Sequence, residues 1–252
     1  MINIKSEETF QFTEFTKDDG ILTKTIDIDS KNKIIKDGSQ CWMARGTAKT
    51  VTLTLPEFPD YLMGLGLNQA IGHGICGLEE TKIISSAKFN GQPDTITRSK
   101  EYLFYPEGAS LAMIDYDPDV GQPKRDYQEV IRIIDSVCPG FATTPKVLTY
   151  STSSCIYKDD TELLGMGAGF HLYFLAKNGR DLQRFAQTLF HRLWLAGYGY
   201  IKISRSGSLL PRTIFDLAVF SPERLDFVAG AKLMNATLSQ RRPDPLYLPE
   251  GI

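Results

Sequence analysis

An apolar run of strand length, at residues 110–114, ends directly in two acidic residues, Asp115 and Asp117. Such a run is typical of a strand that is buried inside a sheet. Pro118 follows the acids, and because proline has no N–H to donate to a neighbouring strand, it ends the strand there. The sequence therefore predicts a buried strand over residues 110–117 that carries a pair of carboxylates at its end.

Other segments predict both helices and strands. Apolar residues at helical spacing predict amphipathic helices over residues 124–137 and 181–196, the second with Asp181 as its N-cap. Further strands are predicted over residues 23–29, 47–55, 145–150, 169–176 and 212–220, and a short helix over 60–69. We therefore expect a fold of the α+β class, in which functional side chains commonly lie at strand ends.

Composition narrows the class of protein further. The chain has 252 residues, 42% of them hydrophobic and 23% charged, which excludes a disordered, collagen-like or coiled-coil chain. No uncharged apolar stretch reaches about 18 residues, so no membrane-spanning helix is expected. The first eight residues lack the apolar segment of a secretory signal. Four scattered cysteines without a CxxC pair favour a reduced, cytoplasmic protein over a disulfide framework or a zinc site.

Charge is distributed unevenly along the chain. Residues 1–119 contain 12 lysines and arginines against 18 aspartates and glutamates, a net charge of −6. Residues 120–252 contain 16 against 12, a net charge of +4. This asymmetry is compatible with an anionic partner for the second half, and equally with two differently charged solvated surfaces.

The two acids of the buried strand are candidate metal ligands. Because alternate residues of a strand point to the same face, Asp115 and Asp117 lie about 7 Å apart along the chain on one side of the sheet. Their carboxylates repel each other unless a cation lies between them, and Mg²⁺ and Mn²⁺ prefer such oxygen ligands. The alternative is an exposed turn, since Asp117 is followed by Pro118 and Asp119.

A third acid, Asp216, lies among apolar residues, where an unpaired carboxylate is costly to bury. It requires a metal, a helix N-terminus or a salt bridge, for which Arg212 and Arg224 are the candidates. His171 lies in the predicted strand 169–176 and is either a phosphate donor, a general acid or base, or an ordinary core or edge residue. His73 is predicted to be a loop residue without a partner.

Several common motifs are absent from the sequence. There is no P-loop, no GxSxG and no HExxH. The glycines of residues 165–169 have GxGxG spacing, but they lead into a predicted strand rather than a helix, so they do not form a dinucleotide-binding fingerprint. The hydroxyl-rich segment at residues 151–154 either donates to phosphates or is an ordinary loop.

The order of the remaining features resembles the archaeo-eukaryotic primase superfamily, the primase-polymerases. Its three motifs correspond here to Ile114-Asp115-Tyr116-Asp117, Gly169-Phe170-His171 and Phe215-Asp216. Flanking residues resemble the branch found on phages, plasmids and integrative elements, notably Thr97-Arg98-Ser99, Ser151-Thr152-Ser153-Ser154 and Arg192-Leu193-Trp194. The resemblance covers residues 95–230.

The resemblance implies a role for each motif residue. Asp115, Asp117 and Asp216 would be catalytic and would hold two divalent ions, Mg²⁺ or Mn²⁺, for phosphoryl transfer. His171 would donate to a phosphate of the incoming nucleotide, and Arg212 would bind its triphosphate. The second motif usually begins with serine; here that residue is Gly169, so Ser153, Ser154 or a backbone N–H would replace the missing hydroxyl. Weaker candidates for phosphate or template contacts are Arg205, Lys202 and Lys177.

The family also implies an architecture and partners. The expected fold is an N-terminal α/β unit packed on an RRM-like sheet, with the active site in the cleft between them. We expect residues 1–95 to form an α+β region of unknown role, 96–235 the catalytic core and 236–252 an extended tail or linker. The implied activity is primer synthesis on single-stranded DNA from dNTPs or NTPs, in replication of a mobile element or phage, together with a fused or separate helicase and without a membrane.

Two alternatives remain from the sequence alone. A DxD glycosyltransferase would use Asp115 and Asp117 to hold a nucleotide-sugar diphosphate, and would need neither His171 nor Asp216. A non-catalytic replication-initiation or single-strand DNA-binding module would bind nucleic acid without using the acids at all.

Overall fold

The structure, a computed structural model, describes residues 8–165 and 169–252. The predicted α+β class is confirmed. Three α-helices are present in the described residues: α1 (Phe58–Met63), α2 (Tyr127–Val137) and α3 (Leu182–Leu195). The strands are β1 (Thr9–Lys17), β2 (Thr25–Ile28), β3 (Ile34–Asp37), β4 (Arg45–Thr54), β5 (Gln69–Gly72), β6 (Glu80–Ile84), β7 (Thr95–Thr97), β8 (Ser110–Tyr116), β9 (Lys146–Tyr150), β10 (Ile156–Lys158), β11 (Thr161–Leu164), β12 (Phe170–Ala176), β13 (Tyr200–Ile203), β14 (Leu209–Arg212), β15 (Lys232–Leu233), β16 (Leu238–Gln240) and β17 (Leu246–Leu248).

Nine of these strands form one mixed sheet. Its order is β17-β9-β12-β8-β1-β4-β6-β7, with β5 paired to β1. The strand β8 is central: it pairs antiparallel with β12 on one side and parallel with β1 on the other. Besides the main sheet, the described residues form three smaller sheets: β11-β10-β16, the hairpin β13-β14, and β15-β2-β3.

The part of the sheet around β8 is built in the chain order β8, α2, β9, β12, α3. Alternation along β12 divides its side chains between two faces. Phe174 points to the helices, where its ring lies 6.0 Å from that of Phe185 in α3. Tyr173 points to the opposite face, where its ring lies 5.1 Å from that of Phe58 in α1. The residue His171 therefore lies on the face that α2 and α3 leave open.

Most predicted elements form close to their expected positions. The strands predicted at 23–29, 47–55, 110–117, 145–150 and 169–176 correspond to β2, β4, β8, β9 and β12, and the two long helices to α2 and α3. Asp181 occupies the N-cap position of α3, but its carboxylate is bound by Arg184 rather than by a helix N–H. The predicted helix 60–69 is shorter, because α1 ends at Met63 before Gly64.

The strand predicted over residues 212–220 is wrong. Strand β14 ends at Arg212, and Leu217–Phe220 forms a short 3-10 helix instead. Asp216 caps this helix: its side chain accepts a hydrogen bond from the Ala218 N–H at 3.0 Å. An aspartate that bonds to a backbone N–H two residues later favours a turn over a strand, and this local bond outweighs the apolar pattern.

The predicted divisions of the chain do not coincide with breaks in the main sheet. The boundary expected between residues 95 and 96 falls inside β7, and β1 from the first segment pairs with β8 from the second. Part of the expected C-terminal tail also joins the sheet, since β17 pairs with β9. Among the described residues, no helix combines the length and the apolar character that crossing a membrane requires.

Candidate functional site

Asp115 and His171 are direct partners in neighbouring strands. In the antiparallel pairing of β8 with β12, His171 lies opposite Asp115. Their side chains point to the same face, and Nε2 of His171 lies 3.6 Å from Oδ1 of Asp115. Asp117 follows the end of β8 by one residue, so its position alternates back to the same face. The first two predicted motifs therefore meet at one end of the sheet.

Asp216 joins this end of the sheet through its backbone. Its N–H donates to the carbonyl oxygen of Asp115 at 3.2 Å. Its carboxylate is held by two arginines: Nη1 of Arg212 and Nη2 of Arg224 each lie 3.4 Å from one of its oxygens. The salt bridge that the sequence left open for Asp216 is therefore present, with both candidate arginines.

A cleft lined by charged side chains lies over these residues. It consists of two adjoining hollows that share Lys24, Asp115, Asp117 and Arg224. The first hollow contains His73, His171 and Asp226, whereas the second contains Asp119, Lys202, Arg212 and Asp216. The cleft is therefore lined by both acids and cations.

Beneath His171 lies a buried polar network that the sequence analysis missed. The Tyr173 hydroxyl donates to Oδ2 of Asp226 at 2.6 Å, and Nε2 of His73 lies 3.1 Å from the same oxygen. His73 follows β5 and lies in a loop, as predicted, but it is 3% exposed and bonded to Asp226, so the prediction that it has no partner is wrong. Asp226 is fixed by backbone hydrogen bonds in both directions with Ile71. The available signal was Asp226 itself, an acid between Leu225 and Phe227, the same pattern that singled out Asp216.

Burial and mutual charge shift the protonation of these groups. Burial raises the pKa of the Asp115 carboxyl; His171 opposes the shift, and the carboxylates of Asp226, Asp117 and Asp216 add to it. For His171, burial lowers the pKa, but the carboxylates of Asp226 and Asp115 outweigh it and the net pKa is raised. Burial raises the pKa of Asp226, but His171 and His73 outweigh it and hold that pKa well below its usual range.

One lysine from the N-terminal part of the chain lines the cleft and a second contacts a residue beside its lining, although the sequence predicted no role for that part. Lys24 precedes β2 and lines both hollows. Lys36, on β3, donates to the Ser153 hydroxyl at 3.2 Å. Partial burial and the neighbouring Lys24 lower the pKa of Lys36, and Asp117 opposes that shift. Because Lys24 lines both hollows together with Asp115 and Asp117, the start of the hairpin β2-β3 lies beside the acids.

The site at Gly169 has a hydroxyl beside it, but not the one predicted. A Cβ built on Gly169 would lie 3.0 Å from Oγ of Ser151, and Ser151 lines the first hollow. Ser154 is fully buried and donates to the Gly169 carbonyl at 3.1 Å, while Ser153 contacts Lys36. Ser151 is therefore better placed than either predicted serine to replace the missing hydroxyl. Of the predicted glycine-rich segment 165–169, residues 166–168 lie outside the described residues.

The carboxylates provide an incomplete ligand set for a divalent ion. In residues 8–165 and 169–252, no three side chains of the His, Cys, Asp and Glu types form a group that could hold a metal. Asp115 and Asp117 nevertheless offer hard oxygen ligands at the cleft, and Mg²⁺ is commonly held by one or two carboxylates together with substrate phosphates and water. Asp216 is engaged by its two arginines and is not free to bind a cation in this arrangement.

The weaker predicted contacts are distributed over the molecule. Lys202 lines the cleft, where it pairs with Asp119. Arg205 lies in the turn between β13 and β14 and lines neither hollow. Lys177 follows β12 at the end opposite His171, about 20 Å away along the strand.

Comparisons with protein-family models, curated proteins and solved structures gave no match.

Proposed function

We propose that this chain is a template-dependent nucleotidyltransferase of the primase-polymerase type, acting on single-stranded DNA with dNTPs or NTPs. The observation that carries the proposal is the convergence of three motifs that are distant in sequence. Asp115 and Asp117 end one strand, His171 lies opposite Asp115 on the next, and the Asp216 backbone is bonded to Asp115. All four residues line the same cleft.

The topology around the site supports the finer fold assignment. The chain order β8, α2, β9, β12, α3 gives a spatial strand order β9-β12-β8, with both helices associated with one face. This is the split β-α-β arrangement of ferredoxin-like and RRM-like sheets. We propose that this part corresponds to the RRM-like sheet of the family, and that the first 95 residues supply the strands and the lysine-bearing hairpin beside it.

The residues of the cleft fit the recognition of a nucleoside triphosphate. Lys24, Arg212 and Arg224 bring positive charge to the lining of the cleft, and Lys36 lies near it through its contact with Ser153. Asp115 and Asp117 would hold a divalent ion, which in such enzymes offsets the charge of the phosphates and activates the attacking hydroxyl. His171 lies between the acids and the buried network, where its Nε2 is the nitrogen nearest to the cleft acids.

The direct test is nucleotide incorporation by the purified chain. The assay contains single-stranded DNA with and without a primer, dNTPs or NTPs, and Mn²⁺ or Mg²⁺, and the labelled products are separated by length. We expect extended products that Asp115→Asn and His171→Gln reduce by about a hundredfold or more. Asp60→Asn, on the exposed surface of α1, is the matched control and should behave as wild type.

Each alternative function predicts a different pattern. If the folded wild-type chain forms no product with either metal, the polymerase proposal is wrong. A DxD glycosyltransferase would depend on Asp115 and Asp117 but tolerate the loss of His171. Equal dependence on Asp115 and His171 therefore excludes it.

One observation favours a second candidate, a non-catalytic single-strand DNA-binding module. The Asp216 carboxylate is neutralised by Arg212 and Arg224, which is what an idle site would show. In that case DNA binding, measured by fluorescence anisotropy, would be retained in Asp115→Asn, and no preparation would incorporate nucleotide.

A cytoplasmic location and a helicase partner, fused or separate, remain part of the polymerase proposal.

A further inference from the structure

Three buried side chains connect His171 to the interior of the protein. Nδ1 of His171 lies 3.1 Å from the Tyr173 hydroxyl, which donates to Oδ2 of Asp226 at 2.6 Å. The same Asp226 oxygen also accepts a hydrogen bond from Nε2 of His73, 3.1 Å away. Tyr173 is completely buried, and Asp226 and His73 are nearly so. Such a set of polar groups is costly to bury, and an apolar core of the same volume is often as stable or more so.

The chemistry of these groups fixes the direction of each hydrogen bond. An ionised carboxylate only accepts, so the single hydroxyl hydrogen of Tyr173 is donated to Asp226. The Tyr173 oxygen can then only accept from His171, which requires a proton on Nδ1. Oδ1 of Asp226, 3.2 Å from Nδ1, accepts no in-line hydrogen bond within the described residues. The in-line partner of Nδ1 is therefore the tyrosine, with Asp226 as an added electrostatic attraction.

The consequence concerns the other ring nitrogen. With Nδ1 protonated and held by Tyr173, a flip of the ring would leave the Tyr173 oxygen without its donor. Nε2 is then the nitrogen that faces Asp115, 3.6 Å away, and the cleft. Tyr173 and Asp226, which lie beneath the ring, therefore determine which nitrogen of His171 faces the cleft.

We propose that Tyr173 and Asp226 are positioning residues that keep Nδ1 of His171 protonated and fix the orientation of the ring, so that Nε2 faces the cleft and donates to a phosphate when the ring carries its second proton. The phosphate contact rests on the proposed function, whereas the fixed tautomer does not. His73 supports the arrangement from the other side, because it is a further donor that keeps Asp226 ionised and in place.

The test separates these two parts. The chain contains three histidines, so the ring nitrogens of protein labelled with ¹⁵N-histidine can be resolved by long-range proton–nitrogen NMR and assigned with His171→Gln. The spectra are recorded with EDTA at increasing pH until the His171 shifts stop changing, because the pKa of His171 is raised and the tautomer is visible only once the ring is neutral. We expect Nδ1 of His171 to be protonated in wild type, and the nitrogen shifts to move towards a mixture of tautomers in Tyr173→Phe.

Activity supplies the second readout. Tyr173→Phe should lower kcat/KM for nucleotide by about tenfold to a hundredfold, the usual effect of losing a group that orients a ligand-binding histidine. The matched control is Tyr105→Phe, which removes a buried hydroxyl that has no hydrogen-bond partner in the described part of the chain. It should leave both the His171 spectrum and kcat/KM unchanged.

The outcomes are distinct. An unprotonated Nδ1 in wild type, or a Tyr173→Phe spectrum and rate equal to wild type, overturns the positioning role. If wild type incorporates no nucleotide but shows the expected spectra, the fixed tautomer is supported and only the proposed function fails. Should Tyr173→Phe not fold, the wild-type spectrum and that of Asp226→Asn decide the question.

Discussion

The side chains of Asp115 and His171 meet across two antiparallel strands, with Nε2 of the histidine 3.6 Å from Oδ1 of the aspartate. Each also belongs to a different environment. Asp115 faces the cleft together with Asp117, whereas His171 is anchored from beneath through Tyr173 and Asp226. The pair is therefore the point where a charged cleft and a buried hydrogen-bonded network meet.

The charge of Asp115 is expected to reduce stability in the absence of metal. Burial and neighbouring carboxylates raise its pKa, which means that the folded state disfavours the ionised form at neutral pH. Asp115→Asn should therefore increase the free energy of unfolding by about 0.5–2 kcal/mol while abolishing activity. Urea denaturation at neutral pH with EDTA measures the effect. A variant clearly less stable than wild type would show that the ion pair with His171 dominates instead.

A divalent ion should reverse that penalty. A cation that binds only the folded state at about 100 times its dissociation constant adds about 2.7 kcal/mol to stability. We expect Mn²⁺ to raise the Tm of wild type by several degrees, and to have little effect on the double variant Asp115→Asn/Asp117→Asn. Differential scanning calorimetry with and without EDTA gives the comparison. Equal shifts in both proteins would show that the ion binds elsewhere.

The lysines of the N-terminal hairpin are expected to contribute to nucleotide affinity. Lys24→Ala removes a positive charge from the lining of the cleft, and the loss of one charge-assisted phosphate contact should weaken binding by about tenfold. Lys36→Ala removes a charge near Ser153, beside that lining, and should weaken binding less. Nucleotide binding is measured by calorimetry. Each lysine variant is also made in the Asp115→Asn/Asp117→Asn protein, so that effects independent of the metal can be separated. Lys33→Ala, at the exposed turn between β2 and β3, is the matched control and should bind as wild type. Equal losses in all three variants would indicate only a general charge effect.

The stability contributed by His171 should depend on pH in a defined direction. Its pKa in the folded protein is raised above the ordinary value of 6.5, so its contribution is complete below about pH 6.5 and is lost as pH rises through the raised value. The depressed pKa of Asp226 keeps that carboxylate ionised across this range, down to and below its ordinary value of 3.8. The difference in unfolding free energy between wild type and His171→Gln, measured with EDTA, should therefore shrink from pH 6 to pH 9. A difference that grows with pH contradicts this assignment.

The position of Gly169 should resist even a small side chain. A Cβ there would lie 3.0 Å from the Ser151 hydroxyl and 3.3 Å from the backbone oxygen of Tyr116. Gly169→Ala should therefore cost about 1 kcal/mol of stability through overpacking. Adding Ser151→Gly removes the closer contact and should recover most of that loss. Thermal denaturation of the single and double variants tests this, and a loss that Ser151→Gly does not relieve would place the strain at Tyr116.

Some features of the site follow from local sequence alone. The apolar run before Asp115 makes a buried strand, and the period of two along it places Asp115 and Asp117 on one face. The same alternation puts His171 and Tyr173 together on β12, as their hydrogen bond shows. These properties depend only on residues within a few positions of each other, so a single sequence is sufficient to predict them.

The apolar pattern predicted the wrong secondary structure where a side chain could accept a hydrogen bond from the nearby backbone. Residues 212–220 have the composition of a strand, but Asp216 accepts from the Ala218 N–H and begins a short 3-10 helix. The same change of direction brings Arg224 to the Asp216 carboxylate. The alternative salt bridge was foreseeable because a buried acid requires a partner, although the choice of both arginines was not.

The sequence by itself determined the class of fold, the two long helices and the pair of acids at the end of a buried strand, because hydrophobic period and turn chemistry act over short distances. Only the tertiary structure decided that His171 lies opposite Asp115, that Lys24 lines the cleft, and that His73 contacts Asp226 across 153 residues. Such meetings depend on strand register and long-range packing, where the free energy comes from the whole sheet rather than from any one segment. A carboxylate among apolar residues indicates from the sequence that it needs partners, but only the folded chain determines which residues they are.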